Sequence, residues 1–221
     1  MNKNKEFLCH LKIWSKNNLR KFEWRESNDP YKILIAEVLL RRTTSTAAAK
    51  LFKNFLLEYP SIYVLSRSPT KILENFLKPI GYQKERAKIL KKIAKFIIKN
   101  FGGMIPSSEK ELNLVPHIGK YTSGAILSLA FNEKAAMIDS NVKRVISRVF
   151  FIKDKSVCDN EIEKVILDLL PDKWFKEFNL GLIDLGGTIC VPRLPKCYKC
   201  SFNKICDYVK KHPSNLRLAR Q

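Results

Sequence analysis

A proline and a glycine three positions apart interrupt a helix, and this chain sets Pro116 and Gly119 in the middle of an otherwise helical stretch, LVPHIGKYTSGAILSLAFNEKAAMID from Leu114 to Asp139. Upstream, Ser108 with Glu111 three residues on has the form of a capping box, so a short helix starts there. Downstream, Ala125, Ile126, Leu129 and Ala130 recur at helical spacing and predict a second helix over 121–131. The unit reads helix, hairpin, helix. A tight turn feeding a helix N-terminus aims backbone N–H groups outward, a cradle that suits a phosphate, although any helix-loop-helix corner shares that outline.

Asp139 ends this stretch. It follows the apolar run 135–138 and precedes SNVKRVISRVF, whose Val142, Val145, Ile146 and Val149 mark a third helix, which places Asp139 at its N-cap. Most aspartates so placed only cap. N–H donors and the positive helix end favour the ionised carboxylate, however, so capping is compatible with catalysis. Charge points to a polyanionic partner independently: 41 Lys and Arg against 21 acids give a net charge of +20. The 221 residues, 45% of them hydrophobic, allow one domain or two small ones with a real core. No apolar run approaches the ~18 residues of a membrane span, and MNKNKEFLCHLKIW has no signal-type core, so the expectation is an intracellular, cytoplasmic, nucleoid-associated protein with no membrane partner.

Earlier in the chain, Phe7, Leu8, Leu11 and Trp14 share one helical face. Pro30 ends a polar connector, and YKILIAEVLLRRTTSTAAAKLFKNFLLEY reads as one long helix or a pair. Within its apolar run 33–40 the only acid is Glu37, either pointing out to water or held in an apolar setting that favours its protonated, proton-donating form. Arg41 and Arg42 then form either a solvated basic turn or a DNA contact. Residues 61–78 give one helix or two, and Tyr82 stands alone in the turn before an amphipathic helix that stops at Gly102-Gly103. Two more helices flank Pro171. With no Asn-Gly hairpin, no long alternation and no repeat, the fold is all-α.

The second strong signal is Cys190, Cys197, Cys200 and Cys206, spaced Cys-x6-Cys-x2-Cys-x5-Cys in a basic, proline-stiffened loop. Four thiolates so close in a reducing cell imply a metal site, and ligand type alone leaves zinc and an iron-sulfur cluster both open. Cys9 and Cys158 fall outside the pattern and read as ordinary buried thiols.

With the hairpin followed by Asp139, and with this cysteine spacing, residues 20–207 resemble the helix-hairpin-helix (HhH-GPD) DNA glycosylases of the endonuclease III/MutY family. DPYKILIAEVLLRRTT looks like the signature shared by adenine glycosylases and the Mig-type thymine-DNA mismatch glycosylases, which carry an acid at the position of Glu37. DSNVKRVISR is closest to the adenine-glycosylase wording, whereas LLRRTT, KYT, AAMID and FNLGLIDLG are similar to the thymine enzyme. Tyr121 stands where bifunctional members carry a lysine that attacks the sugar; Mig-type enzymes carry Tyr there, and Lys120 is ~100° around the helix and a poor substitute. His117 replaces the first hairpin glycine of the family, and histidine takes positive φ less readily than glycine.

The resemblance implies a two-lobed all-α fold: a six-helix barrel with the hairpin over 26–132, a 4Fe-4S cluster domain made of 1–25 and 133–207, a DNA cleft between them, and a loose basic tail over 208–221. It implies a monomer on double-stranded DNA containing a mispair or lesion, met by Arg41, Arg42, Tyr82, His117, Gly119, Lys120 and Lys143. Asp139 would stabilise charge developing on the sugar and align water, Glu37 would assist departure of the base, and Tyr121 would pack on the flipped base. The chain stops 15 residues after Cys206, without room for the further domain by which adenine glycosylases read 8-oxoguanine, and Tyr121 narrows the pocket toward a pyrimidine. The expected activity is hydrolysis of the N-glycosidic bond of thymine or uracil opposite guanine. Other readings are an adenine glycosylase, an endonuclease III-type lyase and a non-catalytic iron-sulfur DNA-binding protein.

Overall fold

A computed structural model describes residues 2–150 and 159–216, and among them every regular element is helical. In chain order the α-helices are α1 Lys3–Asn18, α2 Glu23–Glu26, α3 Pro30–Leu39, α4 Ser45–Glu58, α5 Ile62–Arg67, α6 Thr70–Leu77, α7 Gln83–Phe101, α8 Glu109–Leu112, α9 Lys120–Leu129, α10 Ser140–Phe150, α11 Asp159–Leu169, α12 Phe175–Thr188 and α13 Asp207–Lys211. Among the described residues no helix is long and apolar enough to cross a membrane. The chain divides into two units, Lys21–Glu133 and Met1–Arg20 with Lys134–Gln221.

The central unit, Lys21–Glu133, is built on α3 and α9, which pack on each other. Asp29 caps α3, its Oδ1 accepting from the Tyr31 N–H at 2.8 Å, and Pro30 at the first position has no N–H to leave unsatisfied. Residues 33–39 are all buried, so α3 is enclosed on every side, as is α9 from Thr122 to Leu129. The apolar stretch after Pro30 is thus two helices: α3 ends at Leu39 and Thr44 opens α4, its hydroxyl accepting from Ala47 N–H at 3.2 Å. α7 buries Ala87, Leu90, Ile93, Ala94 and Ile97 along one face. It closes with Gly102 in the left-handed region at φ 59 and Gly103 N–H on Ile97 O at 3.2 Å. The serine half of the expected capping box is present, Ser108 Oγ accepting from Glu111 N–H at 3.3 Å, whereas the Glu111 carboxylate accepts from the Ser108 hydroxyl at 2.7 Å instead of from its backbone N–H.

In the other unit α1 packs on α12, and α10 packs on α11, α12 and α13. Phe7, Phe178 and Phe202 are fully buried, each contributing roughly 2–3 kcal/mol of hydrophobic stabilisation, and the rings of Phe7 and Phe202 lie 5.2 Å apart. A Cβ on Gly181 would stand 2.2 Å from Ser15 Oγ and one on Gly186 2.7 Å from Asn141 Cβ, so these two glycines let α1 and α10 approach α12 closely. The fully buried carboxylate of Asp184 accepts from Arg20 N–H at 2.8 Å, from Nε at 2.7 Å and from Nη2 at 2.6 Å, so the charge is paired.

Two sequence expectations are corrected. Cys9 is exposed on α1, because Phe7 and Leu11 take the buried face. Residues 208–216 are not a loose tail: α13 buries Val209, Arg148 lies over the Tyr208 ring at 4.8 Å, and a 3-10 turn follows at Pro213–Leu216. Cys158 and residues 217–221 lie outside the described residues.

Candidate active site

The hairpin begins where α8 unwinds and ends at Gly119, the N-cap of α9. Gly119 is extended (φ −105), so its value is not conformational freedom: a Cβ there would meet nothing within 4 Å, and no side chain caps the helix. The backbone therefore offers its N-terminal turn to a ligand at close range. His117 takes the strained position, φ 64, confirming that histidine adopts the geometry a glycine would take more easily. Its carbonyl accepts from Arg41 Nη2, which ties the hairpin to the turn after α3.

Only four described non-glycine residues have positive φ: Arg42, Tyr82, His117 and Asn132. Three of them are residues the sequence assigns to DNA, and strained backbone of this kind costs about 1–3 kcal/mol per residue unless the surroundings impose it. Arg42 and Tyr82 meet: Nη1 donates to the Tyr82 hydroxyl at 3.0 Å and the guanidinium lies 5.0 Å from the ring centre. Tyr82 is 55% exposed, so the pair projects into solvent. What fixes the turn is Arg86, a cation only 3% exposed that donates to the carbonyls of Val38, Leu39 and Arg41 and so satisfies the open end of α3. Burial first, then the Arg41 charge, draws its guanidinium below the usual value. Sequence reasoning passed over Arg86 as one more base on an amphipathic helix; its position on the apolar face, beside Ala87 and Leu90, was the available signal.

Glu37 is 5% exposed in α3, which excludes the reading in which it points to water. Arg41 lies within its electrostatic reach: burial lowers the Arg41 value and the Glu37 charge opposes that shift. Tyr121 is half-buried in the first turn of α9 and Lys120 beside it is exposed.

In the other unit Asp139 caps α10 as expected. Oδ1 accepts from Val142 N–H at 2.8 Å and Oδ2 accepts from Asn141 Nδ2 at 2.7 Å. Asn141 Oδ1 accepts from Arg144 Nη2 at 2.6 Å, and Arg144 goes on to donate to Gly186 O at 2.8 Å and through Nε to Cys190 O at 2.7 Å. Upstream, Asn179 accepts from Met137 N–H at 3.0 Å and donates to Ala135 O at 2.8 Å, setting the extended segment that delivers Asp139. Asn141, Arg144 and Asn179 went unassigned in the sequence, although Asn141, Arg144 and Arg148 lie off the apolar stripe of α10. Lys143 is half-buried on the same helix.

The cysteine loop follows α12. Cys197 and Cys206 are buried, Cys190 and Cys200 half-buried. Arg148 pins the loop by donating to Val191 O at 2.8 Å, Pro192 O at 2.6 Å and Cys190 Sγ at 3.4 Å. Among the described residues no three potential ligands stand in ready metal-binding geometry. Two of the sulfurs lie against one residue, Cys206 Sγ donating to the Arg148 carbonyl at 3.4 Å and Cys190 Sγ accepting from its guanidinium. Burial pushes the Cys200 thiol up to about 12, opposed by the Phe202 backbone N–H and aided by the charges of Cys190, Cys206 and Cys197. Burial, then Cys190 and Cys206, likewise raise Cys197. Burial and mutual repulsion thus disfavour the thiolate form of these cysteines, a penalty that a cationic thiophilic group would relieve.

A helical corner with open space over its cap glycine, in a chain with a net charge of +20, suits a phosphodiester backbone and has the outline of the helix-hairpin-helix class. Residues 35–171 match the HhH-GPD superfamily of base excision DNA repair proteins, and the chain belongs to that family. It is 37% identical over 211 residues to the thymine/uracil-DNA glycosylase of Methanothermobacter thermautotrophicus, covering 95% of this chain and 96% of that protein. The solved structure of a thermostable thymine-DNA glycosylase is similar with a TM-score of 0.90 at 37% identity, over 95% of this chain and 97% of that one. An adenine DNA glycosylase of Buchnera aphidicola is 34% identical over 184 residues, 83% of this chain but 52% of that protein.

Proposed function

We propose that this chain is a monofunctional DNA glycosylase of base excision repair that hydrolyses the N-glycosidic bond of thymine or uracil mispaired with guanine, acting as a monomer on duplex DNA inside the cell. The observation that carries it is Asp139, half-buried with each oxygen holding a fixed donor, in a chain 37% identical to a thymine/uracil-DNA glycosylase. The hairpin-bearing domain is assigned to 26–132 and the cluster-bearing domain to 1–25 and 133–207.

The hairpin at His117, Gly119 and Lys120 holds a backbone phosphate while the target nucleotide leaves the stack, at a cost of roughly a few kcal/mol that is least at a mispair. Arg42 and Tyr82, stiffened by each other and by Arg86, fill the space vacated in the duplex, and Arg41 and Arg42 supply donors to the O6 and N7 acceptors of the orphaned guanine. Lys143 adds a phosphate contact. As the glycosidic bond stretches, the Asp139 carboxylate stabilises the positive charge developing on the sugar and aligns the attacking water. Glu37, kept from bulk water, assists the departing base by proton donation, directly or through a water. Tyr121 packs on the flipped base, and lacking an amine it forms no Schiff base, so the product is an intact abasic site.

Cys190, Cys197, Cys200 and Cys206 would hold a 4Fe-4S cluster, which supplies a structural cross-link to the loop bearing Arg193, Lys196 and Lys199. Arg148 donates to the Cys190 sulfur and anchors the two residues that follow it through their carbonyls.

Single-turnover assays on T:G, U:G, A:G and A:8-oxoguanine duplexes, each with and without alkali, test the reading. T:G and U:G should react fastest and strands should break only after alkali. The wording of DSNVKRVISR and the Buchnera relative favour the adenine reading, which wins if adenine is released much faster than thymine.

A further inference from the structure

Along α7 the side chains of Lys84, Lys88, Lys92, Lys95 and Lys99 are all exposed, and their spacing of four, four, three and four residues puts them on one face. The row starts two residues after Tyr82 and runs about 22 Å, the length of roughly six base pairs of duplex. Like charges at this spacing repel and destabilise a helix. Among the described residues none of the five makes a hydrogen bond or an ion pair, and the exposed acid of this helix, Glu85, borders the row three residues before Lys88 without pairing with it. A merely solvated face gains nothing from such an arrangement, since alternating signs would be more stable.

The row is joined to the hairpin. Lys92, Lys95, Phe96, Lys99 and Asn100 line a shallow depression of about 390 Å³ together with Pro116. The His117 imidazole, depressed first by burial and then by the Lys92, Arg41 and Lys88 charges with Glu85 opposing, registers the same proximity.

We infer that the lysine row of α7 is a second phosphate track, which holds the backbone of the duplex flanking the mispair and continues the path from Tyr82 past the hairpin. This rests on the proposed glycosylase reading. A regular row of flexible ammonium groups suits a regular polyanion and carries no sequence information, so the track raises affinity for long duplexes without regard to flanking bases.

The test compares the full chain, a variant with all five lysines changed to Gln, and a control in which the exposed Lys5, Lys16, Lys53, Lys71 and Lys110 are changed to Gln. Glutamine keeps helix propensity, and circular dichroism checks the fold. Binding to a long duplex with a central G:T mispair is measured against salt. Each real contact contributes about 0.9 to the log-log slope, so the row variant should lose roughly 3 or more and the control close to none. The row variant should also lose the affinity gained on lengthening the duplex. Should the five-fold variant not fold, Lys88→Gln/Lys92→Gln should lose about 1.8. Equal slopes in row and control variants overturn the track while leaving the glycosylase reading standing. A parent chain that neither binds nor processes mispaired DNA overturns both.

Discussion

Asp139 is joined to Cys190 through two side chains, Asn141 donating to the carboxylate at 2.7 Å and Arg144 bridging from Asn141 to the Cys190 carbonyl at 2.7 Å. These bonds restrain the orientation of the carboxylate, and the thiol-bearing loop shares its scaffold.

Replacing Asp139 by Asn separates chemistry from structure. Asparagine keeps the cap on Val142 N–H but loses the bond from Asn141 Nδ2, so the melting temperature should fall only modestly, while single-turnover excision should fall on the order of 10²–10⁴-fold with duplex binding retained. Retention of more than a tenth of the rate would remove Asp139 from the mechanism.

Asn141→Leu and Arg144→Met should each slow excision by about tenfold or more without weakening DNA binding in proportion, because both release the same carboxylate. The double variant should be no slower than the worse single one, as members of one chain of bonds are not additive. Fully additive losses would show that the two residues act separately.

Tyr121→Lys places an amine in the first turn of α9. Borohydride trapping and alkali-independent strand cleavage should appear in the variant and be absent from the parent. Efficient trapping by the parent would assign the amine role to another lysine, with Lys120 the first to examine.

At Arg42 strain and contact can be pulled apart. Arg42→Ala and Arg42→Gly both lose the Tyr82 contact and should both excise poorly, but only glycine relaxes φ 52, so the glycine variant should unfold at higher denaturant, by about 1 kcal/mol. Equal stabilities would mean that the backbone there is not strained.

Purified protein should be yellow-brown with about four irons per chain, and Cys200→Ser should lose the colour together with thermal stability. Colourless, active protein with stoichiometric zinc would sink the cluster assignment.

Local physics made much of this chain readable from its sequence. The Ser108–Glu111 box, the Asp139 cap and the Gly102 stop are settled by hydrogen bonds within a turn, and the helices by apolar periodicity, so neighbouring residues sufficed. Even the departure at His117 could be read, since the hairpin demands positive φ whatever residue sits there. What tertiary structure alone decided are partnerships across long separations: Asn179 with Ala135 and Met137, Arg86 with the end of α3, Arg20 with Asp184, Arg42 with Tyr82. The same cause turned Asp207–Lys211 from an expected tail into a helix, because Val209 found a buried place and Tyr208 a cation. A residue's own neighbours set its backbone, but which distant group meets its side chain depends on which helix faces pack together, and no local pattern encodes that choice.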